Sequence, residues 1–291
     1  MRILATGANG QVTTALSRLH TPGIEIVKVG RPELDIVDKK SVVAAIRRYR
    51  PDIVVNPAAY TAVDKAEDHQ ADAFAANERG AANVARAAAE AGLPVIHLST
   101  DYVFSGNDDG AYAEDDAVGP TGVYGASKLA GERAVAEANA RHVILRTAWV
   151  YSPWGANFVR TMLRLAGDRD VVRVVADQHG TPTYAPDIAE AIARVSSEVL
   201  EHDSSDHVGV FHMTAEGHTT WAGFAAEIFR VSAELSGPTA QVEPITTSEY
   251  PTPARRPANS RLSTAKFKTI FGHEMGDWRK GVRACVTELL R

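Results

Sequence analysis

Tyr124 and Lys128 stand four residues apart in Tyr124-Gly125-Ala126-Ser127-Lys128, at the head of a run with helical character. Side chains at that spacing share one helix face, one turn apart. An ammonium beside a phenol favours the phenolate, which moves the tyrosine from about pH 10 toward neutrality and makes it a usable proton shuttle. On an exposed helix the same pair is solvated surface. Two other features favour chemistry: a glycine turn, Thr6-Gly7-Ala8-Asn9-Gly10-Gln11-Val12, and a polar cluster, Ser99-Thr100-Asp101, closing an apolar run.

The glycine turn joins a first strand to a first helix. Gly7 can adopt a turn conformation closed to other residues, and Gly10 lets backbone approach a phosphate at a helix N-terminus. Any tight strand-to-helix turn uses such glycines, but its place in an alternating strand–helix pattern points to a dinucleotide. No Gly-Lys-Ser/Thr follows, which excludes a nucleotide-hydrolysing phosphate loop. Thr13 occupies the position of the usual third glycine, so a slightly displaced first helix is expected. At the end of the second strand, Val29-Gly30-Arg31 carries a cation where an NAD-preferring site has an acid. Arg31 is either a surface residue or the partner of a 2′-phosphate, which favours NADPH, with NADH still possible.

The elements that must position these residues are legible in outline. Short apolar runs at 3–5, 24–29, 53–55, 95–98 and 143–145 alternate with helical stretches at 11–19, 41–49, 71–91 and 124–138. Such alternation predicts a doubly wound parallel sheet, a Rossmann-type α/β fold, over residues 1–150. Beyond it, helices at 157–166, 187–200, 220–235 and 277–290 and strands at 171–175, 209–213 and 241–245 predict a smaller C-terminal α/β substrate lobe over 151–291. Some of its segments are expected to rejoin the main sheet. Prolines at 251, 253 and 257 make 250–257 an ordered or ligand-gripping loop.

The 291 residues are enough for a sizeable core, and the net charge of −5 argues against nucleic acid as a partner. The one cysteine, Cys285, excludes an intrachain disulfide and reads as a small packing residue. No membrane span is expected, and a strand pattern at residues 2–5 leaves no room for a leader, so a cytoplasmic protein is expected. The scattered histidines show no ligand spacing, and no metal site is expected.

Taken together, Thr6-Gly7-Ala8-Asn9-Gly10, Ser99-Thr100-Asp101-Tyr102-Val103-Phe104 and Tyr124-x-x-x-Lys128 resemble the extended short-chain dehydrogenase/reductase superfamily. Within it, three segments resemble the dTDP-4-dehydrorhamnose reductase family: Ala59-Tyr60-Thr61-Ala62-Val63-Asp64-Lys65-Ala66-Glu67, Arg146-Thr147-Ala148-Trp149-Val150-Tyr151, and Pro251 to Pro257 with Asn259-Ser260-Arg261-Leu262. Pro57 departs from the alanine more usual there.

The resemblance implies a keto-sugar nucleotide reductase using NADPH on a dTDP-sugar. It implies Tyr124 as general acid, Lys128 as the group that lowers the phenol and holds the nicotinamide ribose, and Thr100 as a second hydrogen bond to the ketone. Gly7, Gly10, Gln11 and Val12 fall at the pyrophosphate, Arg31 at the 2′-phosphate, Asp35 and Ile36 beside the adenine, and Ala59, Tyr60 and Thr61 along the pocket. Val63, Asp101, Tyr102 and Trp149 fall at the sugar. Tyr102 stands where related dehydratases carry a glutamate, which favours plain reduction over elimination. Some relatives hold Mg²⁺ between subunits through glutamates; Thr13, Thr14 and Ala15 stand near that place here, and no such site is expected. The rival expectations are an epimerase or another keto-sugar reductase, or a non-catalytic NADP-binding regulatory subunit. A monomer or homodimer is expected.

Overall fold

A computed structural model describes residues 1–202 and 204–291. Five apolar runs of the first half become strands β1 (Arg2–Thr6), β2 (Glu25–Val29), β3 (Ile53–Asn56), β4 (Val95–Thr100) and β5 (His142–Thr147). All pair in parallel, and the later strand Gly209–His212 adds to β5, giving the order Gly209–His212, β5, β4, β3, β1, β2. Strands buried on both faces read as continuous apolar runs, which is why they were visible in the sequence. The order reverses at β1 and β3, so their carboxyl ends border the crevice where such sheets take ligands.

Helices α1 (Gln11–Leu16), α2 (Lys39–Tyr49), α3 (Val63–Asp68), α4 (Gln70–Phe74), α5 (Ala81–Glu90) and α6 (Val123–Ala138) fill the connections. They are followed by α7 (Phe158–Ala166), α8 (Ala185–Glu201), α9 (Trp221–Glu234), α10 (Ala265–Phe271) and α11 (Trp278–Leu289). One sheet face, with Ile3, Ala5, Ile96 and Leu145, packs against α1, α8 and α10. The other, with Leu4, Val54, Val95 and Ile144, packs against α2, α5 and α6. A separate apolar cluster joins α7, α9 and α11 to the parallel pair Val171–Val175 and Gln241–Ile245. Cys285 is fully buried there. Among the described residues no helix is long and apolar enough to cross a membrane, and no group of three metal-ligating side chains occurs.

Several expected boundaries shift by one or two residues, among them α2, which begins at Lys39 rather than 41, and α8, which begins at Ala185 rather than 187. The first helix stops at Leu16 rather than 19, and β2 begins at Glu25 rather than 24. The single helix expected over 71–91 is three pieces, because a π-helical turn, Ala75–Gly80, separates α4 from α5. The alanine-rich sequence of this stretch carries a helical period throughout and gives no sign of the extra residue. The turn exists where Asn77 must aim inward: its Oδ1 accepts from the Tyr60 amide (2.7 Å), while Nδ2 donates to Tyr60 O (3.1 Å) and Ser127 Oγ (2.9 Å).

Candidate active site

Tyr124 and Lys128 lie on the inner face of α6, and Glu132 continues the same four-residue step. Glu67 Oε1 accepts from the Val123 amide (2.9 Å), so α3 holds the N-terminus of α6. Gly125 lets this helix approach the loop after β4, since a Cβ there would lie 2.2 Å from the Tyr102 carbonyl oxygen. Glu132 is 3% exposed and Arg146, on β5, is 4% exposed. Arg146 grips both carboxylate oxygens, Nε to Oε1 at 2.9 Å and Nη2 to Oε2 at 2.8 Å, and Ser99 Oγ donates to Oε1 at 2.5 Å.

Lys128 Nζ donates to Leu98 O (2.5 Å) and sits 3.4 Å from His97 Nε2. Burial pushes this amine down to about 8, with Glu132 acting in the opposite sense. Burial pushes the Tyr124 phenol up to about 12, with neighbouring Thr100 acting in the opposite sense. The lowered phenol inferred from spacing alone is therefore not what the free site holds. Spacing shows the neighbouring charge, whereas desolvation, which opposes ionisation of both groups, depends on the packing around them.

Thr100 ends β4 and organises the residues after it. Its Oγ1 donates to Asp101 Oδ1 (2.9 Å) and accepts from the Tyr102 amide (3.2 Å). Tyr102 meets Tyr124 edge to face, with ring centroids 5.5 Å apart. Asp101 is 3% exposed; burial raises its carboxyl to about 6 despite the hydrogen bond from Thr100. Between about pH 4 and pH 6 the folded chain holds a proton there that the unfolded chain has lost, so stability falls as pH rises through that window. Asp101→Asn should flatten this part of the profile and gain roughly 2–3 kcal/mol at pH 7. Urea unfolding at about pH 4 and pH 7 checks it; equal pH slopes for both proteins would count against it.

At the reversal of strand order, Gly7 has φ of +74° and presses on Ala58, where an added Cβ would lie 3.1 Å from the alanine Cβ. Gly30 presses on Ala8 in the same way, with its would-be Cβ 2.8 Å from the Ala8 amide nitrogen. These small residues leave open backbone at the mouth of the crevice, and the N-cap Gly10 contributes no side chain to the first turn of α1. That cradle fits a dinucleotide diphosphate. Thr13, in place of the third glycine, is buried and donates to Thr6 O (2.9 Å). Val12 packs into the core and Gln11 turns its side chain to Val150 O, Ser152 and Asn157, so only their backbone faces the turn. Arg31 is exposed at the end of β2. Asp35 caps its own turn by accepting from the Val37 amide (3.0 Å), and Ile36 is buried against Gly80. Ala59 and Tyr60 are half-buried, Thr61 is exposed, and Asn77 fixes their loop through Tyr60.

The opposite wall comes from the second half of the chain. Half-buried Trp149, at φ +47°, stacks on Trp221 with centroids 3.6 Å apart, and Trp221 Nε1 donates to Gln178 Oε1 (3.2 Å). The proline-rich segment crosses between the halves. Arg256 Nη2 pairs with Asp64 Oδ2 (2.8 Å), one residue after half-buried Val63, and Asn259 Nδ2 donates to Asp108 O and Gly110 O, both at 2.6 Å. Arg256 is thus a brace, while Arg255 remains exposed.

The RmlD substrate binding domain family matches residues 1–291. A dTDP-4-dehydrorhamnose reductase of Sinorhizobium fredii is 49% identical over 100% of this chain and 98% of its own length. The chain belongs to the dTDP-4-dehydrorhamnose reductase family. A crystal structure of such a reductase from Clostridium acetobutylicum is 36% identical, covers 100% of both chains and superposes with a TM-score of 0.92. Another, from Bacillus anthracis in complex with NADP, is 35% identical over 99% of both chains with a TM-score of 0.91.

For a member of this reductase family, the structure adds residues that the sequence did not single out. Glu132 was available as the next step of the Tyr124–Lys128 spacing. Asn56 and His97 sit inside apolar strands, where a polar residue reads as an incidental core group. Asn77 and Trp221 gain their places only from tertiary contacts and carry no local signal.

Proposed function

We propose that this chain reduces the C4 ketone of dTDP-4-dehydro-β-L-rhamnose with NADPH, giving dTDP-β-L-rhamnose for cell-envelope polysaccharide. The observation that carries this reading is the meeting of Tyr124 with Thr100 and Tyr102 at the carboxyl end of β4, with Lys128 one turn along α6. NADPH, when bound, supplies the hydride. Tyr124, held as a neutral phenol, is the acid that gives the ketone oxygen its proton. Thr100 turns its hydroxyl to the same oxygen and fixes its angle. Lys128 holds the nicotinamide ribose and restores charge balance around the phenolate. Gly7, Gly10 and the backbone of Gln11 and Val12 bind the pyrophosphate. Asp35, Ile36, Ala59, Tyr60 and Thr61 border the rest of the dinucleotide.

Residues 1–150 serve as the dinucleotide-binding part and 151–291 mainly as the substrate lobe. Val63, Asp101, Tyr102 and Trp149 contact the sugar. Spectrophotometric NADPH oxidation with the purified keto-sugar nucleotide tests the whole proposal. A folded enzyme that leaves NADPH unconsumed at saturating substrate refutes it. An epimerase would instead keep oxidised cofactor tightly bound through purification, and a regulatory subunit would bind NADP without turnover.

Arg31 gives the NADPH preference, since its exposed guanidinium can pair with a 2′-phosphate. Arg31→Glu should cost about 1.5–3 kcal/mol of NADPH binding, roughly ten- to hundredfold, with little change for NADH. An unchanged ratio of the two kcat/KM values sinks this assignment.

A further inference from the structure

Four buried side chains on four elements form one hydrogen-bonded line beneath the glycine turn. Thr6 ends β1, Asn56 ends β3, His97 lies within β4 and Lys128 comes from α6, and the most exposed of them is 2% exposed. Asn56 and His97 are direct register partners on neighbouring strands. Thr6 Oγ1 donates to Asn56 Oδ1 (2.5 Å), Asn56 Nδ2 is 3.1 Å from His97 Nδ1, and His97 Nε2 is 3.4 Å from Lys128 Nζ.

The direction of each bond follows from donor and acceptor counting. Thr6 Oγ1 accepts from the Ala58 amide (3.4 Å) and has one proton to give, which goes to Asn56 Oδ1. That orients the amide, with Nδ2 facing His97. An amide nitrogen only donates, so His97 Nδ1 carries no proton. Burial holds the imidazole pKa well below its ordinary value, so the ring is neutral whether or not Lys128 is charged. A neutral ring with a bare Nδ1 has its proton on Nε2, aimed at Lys128 Nζ. An ammonium has three donors and no lone pair, so it would oppose that proton. A free amine accepts it and still donates to Leu98 O.

We propose that His97 is a positioning residue that gives its Nε2–H to the lone pair of Lys128 wherever that amine is free, so that in mildly alkaline solution dinucleotide binding makes Nζ take one proton from solvent. This rests on the reading of Lys128 as a ribose contact: acceptor oxygens and phosphate charge there favour the ammonium. The other titratable groups around this end of α6 are Glu132 and Tyr124 on the helix, Arg146 on β5, already paired with Glu132, and Asp101 after β4. Glu132 favours the ammonium, but Arg146 takes both of its oxygens, and burial prevails in lowering the amine.

Two measurements test this. Nitrogen-15 spectra of histidine-labelled enzyme, with His97 assigned from its absence in His97→Gln, should show a neutral Nε2–H tautomer from about pH 8.5 to about pH 9.5. An Nδ1–H tautomer or an imidazolium in that range overturns the proposal, whether or not the enzyme turns over. Calorimetry of NADPH binding at about pH 9 in two buffers of different ionisation heat should show uptake of close to one proton. Lys128→Met should abolish the uptake. His97→Gln, whose amide can turn its oxygen to an ammonium, should reduce it at least about twofold. No uptake by the native enzyme, or equal uptake by Lys128→Met, overturns the proposal. Failure of NADPH to bind at all counts against the cofactor reading, and the tautomer is then decided by the spectra alone.

Discussion

Tyr124→Phe should lower kcat by about 10²- to 10⁴-fold while leaving the NADPH dissociation constant within about twofold. The substitution removes one oxygen and keeps the ring, so the edge-to-face contact with Tyr102 survives. What is lost is the phenolic proton beside Thr100, the one this reading gives to the ketone oxygen. Thr100 keeps its bonds to Asp101 and the Tyr102 amide, so the loop after β4 stays in place. The expected signature is thus a fall in kcat with folding and cofactor binding preserved. Because the phenol is pushed up to about 12, the acid form is the one populated across the neutral range. A loss below about tenfold would assign the proton to another donor.

Arg146→Met should destabilise the fold by about 3–5 kcal/mol. The guanidinium holds both oxygens of a carboxylate that is 3% exposed, and its removal leaves that charge buried beside only Ser99 and the Lys128 amine. Arg146 also lies 5.0 Å from the centre of the Phe104 ring, a packing contact that methionine retains in part. Adding Glu132→Gln to Arg146→Met should recover a large share of the loss, because the penalty comes from the unpaired charge rather than from the absent pair. Urea midpoints with unchanged slopes would measure both effects. A loss under about 1 kcal/mol for Arg146→Met would mean that Glu132 finds another counter-charge.

Much of the frame was legible because the local physics is strong there. β1, β3, β4 and β5 are short apolar runs bounded by polar or turn residues, and the glycine turn declares itself through Gly7, whose positive φ and contact with Ala58 admit no larger residue. Tyr124, Lys128 and Thr100 were found by spacing and by place at a strand end, and the structure brings all three together. The protonation state of the pair was not legible. Sequence separation shows which charges are neighbours but not how much water remains around them, and here burial governs both Tyr124 and Lys128. Nor was the π-helical turn, whose extra residue leaves the alanine pattern intact. The stacking of Trp149 on Trp221 joins residues 72 positions apart in sequence, and no local pattern encodes it.

The strap from Thr252 to Leu262 bears on how the molecule matures. Asp64 is held by Arg256 and the 106–110 loop by Asn259, so two early segments wait for the same late one. During synthesis, then, the dinucleotide half can emerge and collapse around its sheet with its sugar-facing loops still untethered. Catalytic competence arrives only once the late segment has left the ribosome and threaded between the halves. A protease cut within 252–258 would leave most of the core standing while releasing those loops, separating the loss of activity from the loss of fold.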